Sequence, residues 1–221
     1  MLPLGDGCRA HRLDGVPALT EVPAPVPGPE LAAALGRVRA ELPGRGMFDG
    51  PIAVPVAAGP DGIAWYRATY AWNVVQREGV AELPAGRGII AVAVLLHDGA
   101  GRSLWQLRSD GVAFGGRWDI TAAGAWHPGE DLQDAALREA HEELGCPPGT
   151  LGAPDGRWLT VGPAPSGATL VLRIPVEPAT AFRPDPAEVA ELRWAADPAD
   201  LPAPGLGPVR HAALRAAGLA R

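Results

Sequence analysis

Four glutamates and one arginine dominate the chemistry on offer between residues 124 and 146, GAWHPGEDLQDAALREAHEELGC. Glu130 comes first, Arg138 and Glu139 follow as a pair, and Glu142 and Glu143 close the run. The periodicity predicts a helix over 130–144, with Leu132, Ala136, Leu137 and Ala140 on its apolar side. Such a helix sets Glu139 and Glu143 four residues apart on one face, with Glu142 one step around and Glu130 at its start. Carboxylates crowded this way repel, so an uncompensated cluster destabilises its own helix. Hard divalent cations remove that repulsion and favour carboxylate oxygen. Arg138 can neutralise part of the cluster and brace Glu130 through a charge-assisted hydrogen bond. Gly124 and Gly129, with Pro128, let the preceding loop turn tightly and bring a backbone carbonyl to the same place. Taken alone, REAHEEL reads as a solvated helix face, the default for surface charge. The full spacing, in a strand, loop and helix context, favours metal ligation.

The pattern is glycine, five residues, glutamate, seven residues, Arg-Glu, and then Glu-Glu and glycine. It resembles the Nudix box, with Gly124, Glu130, Arg138, Glu139, Glu142, Glu143 and Gly145 at the fixed positions. The resemblance implies an α+β fold, the Nudix-type α/β/α sandwich around a mixed sheet. It also implies hydrolysis of a nucleoside diphosphate linked to another moiety, with Mg2+ or Mn2+ as cofactor. By the same match Glu139, Glu142 and Glu143 are metal ligands, and Glu130 is an outer ligand or organises water. The Ala123 carbonyl takes the place of the first glycine's carbonyl in the family's common Gly-Gly pair. Alanine there departs from the pattern and is unstrained only where its φ is negative. Gly124, Arg138 and Gly145 support the site. Bound metals would neutralise the diphosphate and orient a water for in-line attack, and a carboxylate would take the water's proton. In relatives the base comes from the helix or from a later loop. Here the catalytic candidates are Glu142 and Glu143 on the helix, and Glu188 and Glu191 in DPAEVAELRW. A plain surface role is the competing reading for the last two.

The substrate ends are less sharply marked. Arg108 and Arg117 are candidates for phosphate contacts. Trp118 and Trp126 flank the expected cleft and could stack a base or sugar, and His127 beside the turn could touch substrate. Trp105 is expected to fill the core, Cys146 to be buried, and His141 to face solvent. The helix ending near Leu42, MFDGPI (47–52), WYRATY (65–70) and RGIIAVAVLLHDG (87–99) are similar to Nudix enzymes that cleave UDP-sugars. That likeness implies a UDP-sugar substrate. Coenzyme A, ADP-ribose and nucleoside triphosphates are the alternatives. A non-catalytic nucleotide-binding module would be marked by lost box glutamates, and none is lost. The isopentenyl-diphosphate isomerase branch needs a cysteine or an equivalent proton-transfer pair, whereas Cys146 sits at the box's apolar end.

Composition narrows the partners. Acidic residues number 25 against 19 basic ones, a formal charge of -6, which argues against broad nucleic-acid binding. Every basic residue is arginine, so a lysine Schiff base and a P-loop lysine are excluded. The expected partner is a small nucleotide diphosphate, with a homodimer as one possible assembly. Two cysteines make neither a disulfide framework nor a zinc site, and a reducing cytoplasm is the expected setting. The longest apolar run, Ile89 to Leu96, is too short to cross a bilayer, so no membrane partner is expected.

These residues must be positioned by the surrounding elements. Residues 1–85 read as an N-terminal appendage: an extended lead-in at 22–29, a helix over 30–42, strands at 52–56 and 63–70 around GPDG, and a short helix at 71–78. LPAGRG (83–88) is the expected boundary, with a Nudix domain over 86–221. That domain reads as a hairpin of 89–97 with 103–108, the glutamate-bearing helix, strands in WLTVG, ATLVLRIPV and VAELRW, and a terminal helix at 208–219.

Overall fold

The computed structural model describes residues 2–3, 8–45, 47–147, 149–162, 167–177, 179–203, 205 and 208–220. The chain begins with strands β1 (Leu2–Pro3), β2 (Arg9–Arg12) and β3 (Ala18–Glu21), then helix α1 (Pro29–Glu41). Strands β4 (Pro51–Gly59) and β5 (Gly62–Thr69) lead into α2 (Tyr70–Arg77). Next come β6 (Ile90–His97), β7 (Ser103–Arg108), β8 (Trp118–Ile120), β9 (Ala122–Ala125) and α3 (Leu132–Leu144). Strands β10 (Gly156–Val161), β11 (Ala168–Pro175) and β12 (Val189–Ala195) precede the last helix, α4 (Pro208–Ala216). Among the described residues, no helix is long and apolar enough to cross a membrane.

Two sheets result. The first runs β1-β4-β5-β3, and the second runs β12-β7-β6-β11-β10-β2 with β8 beside β7 and β9 beside β6. The second sheet is mixed, because β6 and β11 pair in parallel while β6 and β9 pair antiparallel. Alternation along β6 explains the layers. Ile90, Val92, Val94 and Leu96 point into a core shared with α3, while Ala93 and Leu95 face a second core that includes Leu214 of α4. The fold is therefore α+β, with the mixed sheet between helices, as expected. Trp105 is 1% exposed and fills the second core.

Two local expectations change. The hairpin of β6 and β7 is splayed, and the strands meet only at His97 and Ser103. Below that point β9 takes the free edge of β6, while β7 turns to β8 and β12. The first 21 residues, which lack a periodic signal, contain strands. β2 adds to the edge of β10, and β3 lies parallel to β5. Short edge strands draw their order from the partner's unpaired backbone groups, so their own residues carry little pattern.

The N-terminal sheet is buried on both faces. Helices α1 and α2 cover one side through Leu31, Leu35, Val38, Ile52, Val54 and Val74. Ala53, Ile63 and Trp65 on the other side join the core beneath α3. There Trp65 meets Trp126 edge-on, with ring centroids 5.0 Å apart and planes at 88°.

Helix α3 is defined at both ends. The Asp131 side chain caps its start, accepting from Gln133 N at 2.7 Å and Asp134 N at 3.1 Å. Gly145 ends it in the left-handed region with φ 59. The same glycine allows a close approach, since a Cβ there would overlap the carbonyl oxygen of Arg183. The 183–185 segment then bonds the helix end: Arg183 N donates to Leu144 O at 2.8 Å, and Asp185 N donates to Glu143 O at 3.0 Å. Gly145→Ala combines backbone strain with this overlap, so it should cost at least about 2 kcal/mol. A lower denaturant midpoint at unchanged m-value will show that loss; an unchanged midpoint would contradict the packing described.

Candidate active site

The site forms where α3 faces β9. Glu143 is only 2% exposed and is held from three sides. Gln106 Nε2 donates to its Oε2 at 2.9 Å, Ala123 N donates to the same oxygen at 3.2 Å, and Arg108 Nη1 lies 3.9 Å from Oε1. Burial pushes the Glu143 carboxyl up to about 8, although Arg108, Gln106 and the Ala123 amide oppose the shift. Glu139 occupies a notch made by Gly124, where a Cβ would overlap its carboxyl carbon and both oxygens. That contact is the structural reason for glycine at 124. Burial raises the Glu139 carboxyl too, against the pull of Arg138.

Arg138 sits at the centre of the remaining carboxylates. Its guanidinium donates to Glu130 at 3.1 Å, Glu139 at 2.8 Å and Glu142 at 2.9 Å. Partial burial works to raise the Glu130 carboxyl, but hydrogen bonding and charge from Arg138 outweigh it and hold the group below its ordinary range. Glu188 follows the segment tied to the end of α3, and its charge raises both Glu139 and Glu143. Ala123 carries no strain, since Phe114 is the non-glycine residue with positive φ among the described residues.

Among the described residues, no three carboxylate, imidazole or thiol groups are gathered for metal coordination. Arg138 stands among Glu130, Glu139 and Glu142 instead. The donor set still fits a hard divalent cation. It consists of carboxylates, two of which burial holds above their ordinary range despite the neighbouring arginines.

A cleft of about 600 Å³ opens beside Ala123 and Gly124. Arg108, Arg117 and Trp118 line it. Trp118 is 2% exposed, and Arg193 lies 5.6 Å from its ring centroid. The box glutamates and Glu188 stand outside this lining, and so do three further sequence candidates. Trp126 is 3% exposed, packs in the core against Trp65, and donates from Nε1 to Glu130 O at 3.0 Å. It buttresses the loop before α3 and does not line the cleft, because its apolar ring is consumed by the junction of the two sheets. His127 is exposed and stands outside the glutamates, with Nδ1 3.8 Å from Glu130 Oε1. Glu191 is bound to Arg193 at 2.5 Å and lies outside the cleft lining.

Other residues of the site and cleft emerge only in three dimensions. Gln106 is fully buried, and its place beside Leu104 and Arg108 on one face of β7 is the signal available in SLWQLR. Phe114 is 64% exposed, lines the cleft and has φ 59. Tyr70, Asn73 and Arg77 of α2 also line the cleft, at the i, i+3, i+7 spacing of one helical face.

The arrangement is that of a Nudix site, and the chain belongs to the NUDIX domain family, whose profile matches residues 88–215. It is 43% identical over 56 residues to an uncharacterized Nudix hydrolase of Yersinia pestis, covering 25% of this chain and 31% of that protein. It is 38% identical over 116 residues to an isopentenyl-diphosphate Delta-isomerase of Leifsonia xyli, covering 48% of this chain and 60% of the isomerase. The chain thus spans roughly a third to three-fifths of the curated relatives it matches. Among solved structures, DR0079 from Deinococcus radiodurans aligns at 19% identity and a TM-score of 0.45, over 64% of this chain and 82% of that one.

The buried carboxyl makes a prediction about pH. A folded Glu143 that titrates at about 8, against 4.5 unfolded, binds its proton in the native state across that interval. Its contribution to stability is full below the unfolded value and is lost as pH rises through 8. Metal-free protein should therefore lose up to about 1.4 kcal/mol per pH unit from this group. Glu143→Gln, a neutral isostere, should flatten that dependence when melts are run in chelator between pH 5 and 8. Equal slopes for the two proteins would contradict the assignment.

Proposed function

We propose that this chain is a divalent-metal-dependent hydrolase of a nucleoside diphosphate linked to another moiety. The observation that carries the reading is the intact glutamate set on α3, with Arg138 among it and a cleft edged by Arg108 and Arg117 beside it. Glu139, Glu142 and Glu143 would hold Mg2+ or Mn2+, with Glu130 and the Ala123 carbonyl as further ligands. The cation, when bound, supplies charge neutralisation of the diphosphate and a more acidic water. Arg108 and Arg117 orient the phosphates from the cleft side. Gln106 and the Ala123 amide keep Glu143 in one orientation. Of the candidate bases, Glu142 has its side chain 54% exposed and Glu188 acts on the buried glutamates from the later loop. Arginines engage both Glu142 and Glu191, through Arg138 and Arg193, which leaves Glu188 as the favoured base.

The favoured substrate is a UDP-sugar, cleaved to a nucleoside monophosphate and a sugar 1-phosphate. Support comes from the likeness of 47–52 and 65–70 to UDP-sugar-cleaving Nudix enzymes. The isopentenyl-diphosphate isomerase relative raises a second reading. It is disfavoured because the cleft wall next to the glutamates is Ala123-Gly124-Ala125, which offers no proton donor from its side chains. Cys146 is 2% exposed at the end of the helix, and neither cysteine lines the cleft.

Glu143→Gln should lower turnover at least about a hundredfold while the fold persists, since the loss falls on transition-state stabilisation. Near-normal turnover would remove Glu143 from the metal site. Specificity, as kcat/KM, should be compared for UDP-glucose, UDP-galactose, ADP-ribose, coenzyme A and nucleoside triphosphates at equal magnesium. UDP-sugars should lead; if both fall tenfold below another class, the UDP-sugar assignment fails while the hydrolase reading stands.

A further inference from the structure

We propose that α2, which precedes the matched Nudix domain, completes the substrate cleft and reads the nucleobase. Asn73 bonds the base edge, while Tyr70 and Phe114 supply aromatic surface for its faces. This assignment rests on the hydrolase reading for its substrate, but its evidence is separate. The family profile begins at residue 88, yet Tyr70, Asn73 and Arg77 all line the cleft that reaches Ala123 and Gly124. They occupy one face of α2, while Ala71, Val74 and Val75 on the other side are buried. The helix thus spends its apolar side on the core and presents a polar stripe to the cavity.

Each of the three recognition residues has a physical reason to be there. Asn73 is 9% exposed, so its amide is largely withdrawn from water at the cavity wall. An amide has two donor hydrogens and an acceptor oxygen, the complement that distinguishes base edges. Phe114 leaves 64% of its surface exposed, so its ring is open to a flat ligand. Its backbone is also held at φ 59, an unfavourable conformation for a bulky side chain. The loop around it is tight: a Cβ at Gly115 would overlap the carbonyl oxygen of Ser109. Local constraint therefore fixes an exposed ring at the cleft, whose lining also includes Tyr70 of α2. A flat apolar ring with a polar edge suits this lining.

Placement separates the two ends of the substrate. Arg108 contacts the glutamate side, where the diphosphate belongs, since its Nη1 is 3.9 Å from Glu143. Tyr70 and Asn73 come from a different core, built by the N-terminal sheet and its helices. Changing them should alter which nucleotide binds and leave the phosphate chemistry in place.

The test is calorimetric titration of UMP, CMP, AMP and GMP into the full chain, with Asn73→Leu and Phe114→Ala beside the wild type. Wild type should prefer one monophosphate at least about tenfold over the weakest. Asn73→Leu should bring the four affinities within about threefold, and Phe114→Ala, at an exposed position, should weaken all four about tenfold. Equal affinities in the wild type, or an unchanged ranking in Asn73→Leu with full affinity in Phe114→Ala, would overturn the proposal. Turnover of UDP-glucose and of 5-phosphoribosyl diphosphate, a base-free substrate, is measured in parallel. The proposal expects Asn73→Leu to lose efficiency on the first and keep it within twofold on the second; equal losses on both would also overturn it. Base-selective binding without turnover of any diphosphate would sink the hydrolase reading and spare the base site.

Discussion

The guanidinium of Arg138 donates to three carboxylates, at 3.1 Å from Glu130, 2.8 Å from Glu139 and 2.9 Å from Glu142. Without it, adjacent glutamates on one helix would repel across a partly dry surface. Helix α3 can therefore carry its charge only with a cation among its side chains, whether arginine or metal. The remaining geometry follows from that constraint. Gly124 leaves room for the Glu139 carboxyl against β9, and Gly145 lets the 183–185 segment close over the helix end. Glu143 pays for burial with a raised pKa, which a bound cation would reverse.

Electrostatics alone would not make a cleft. Part of the cavity lining comes from α2, and α2 is held by a core of its own. The N-terminal sheet links that core to the one beneath α3, with Trp65 meeting Trp126 at the junction. Trp126 then donates to the Glu130 carbonyl at 3.0 Å, so the loop bearing the first glutamate is braced by packing from both sheets. A change in the N-terminal core can reach the site through this contact without touching a ligand.

The glutamate set was readable from residue spacing because helical periodicity maps sequence onto a face. The same holds for α1, α2 and the C-terminal end of α3, where Gly145 is a local signal; the helix start, expected at Glu130, falls at Leu132 behind the Asp131 cap. Strands β2 and β3 were not readable. Their order is supplied by partners distant in the chain, such as Trp158 opposite Arg12. The splayed hairpin escaped for a similar reason, since β9 competes for β6 from 25 or more residues away. Tryptophans were the weakest guide. Trp118 and Trp126 have the same side chain and lie eight residues apart, yet one lines the cleft and the other fills the junction. Which of the two reaches the cleft depends on sheet packing, and no local pattern encodes that.

The central claim is that water is added across a phosphoric anhydride in this cleft. Reaction of a nucleotide sugar in 18O-labelled water with magnesium or manganese, followed by mass analysis, tests it directly. The account predicts turnover that requires the cation and places one 18O on one of the two phosphate products. Cation-dependent binding with no product, or an isomerised diphosphate free of label, would contradict it.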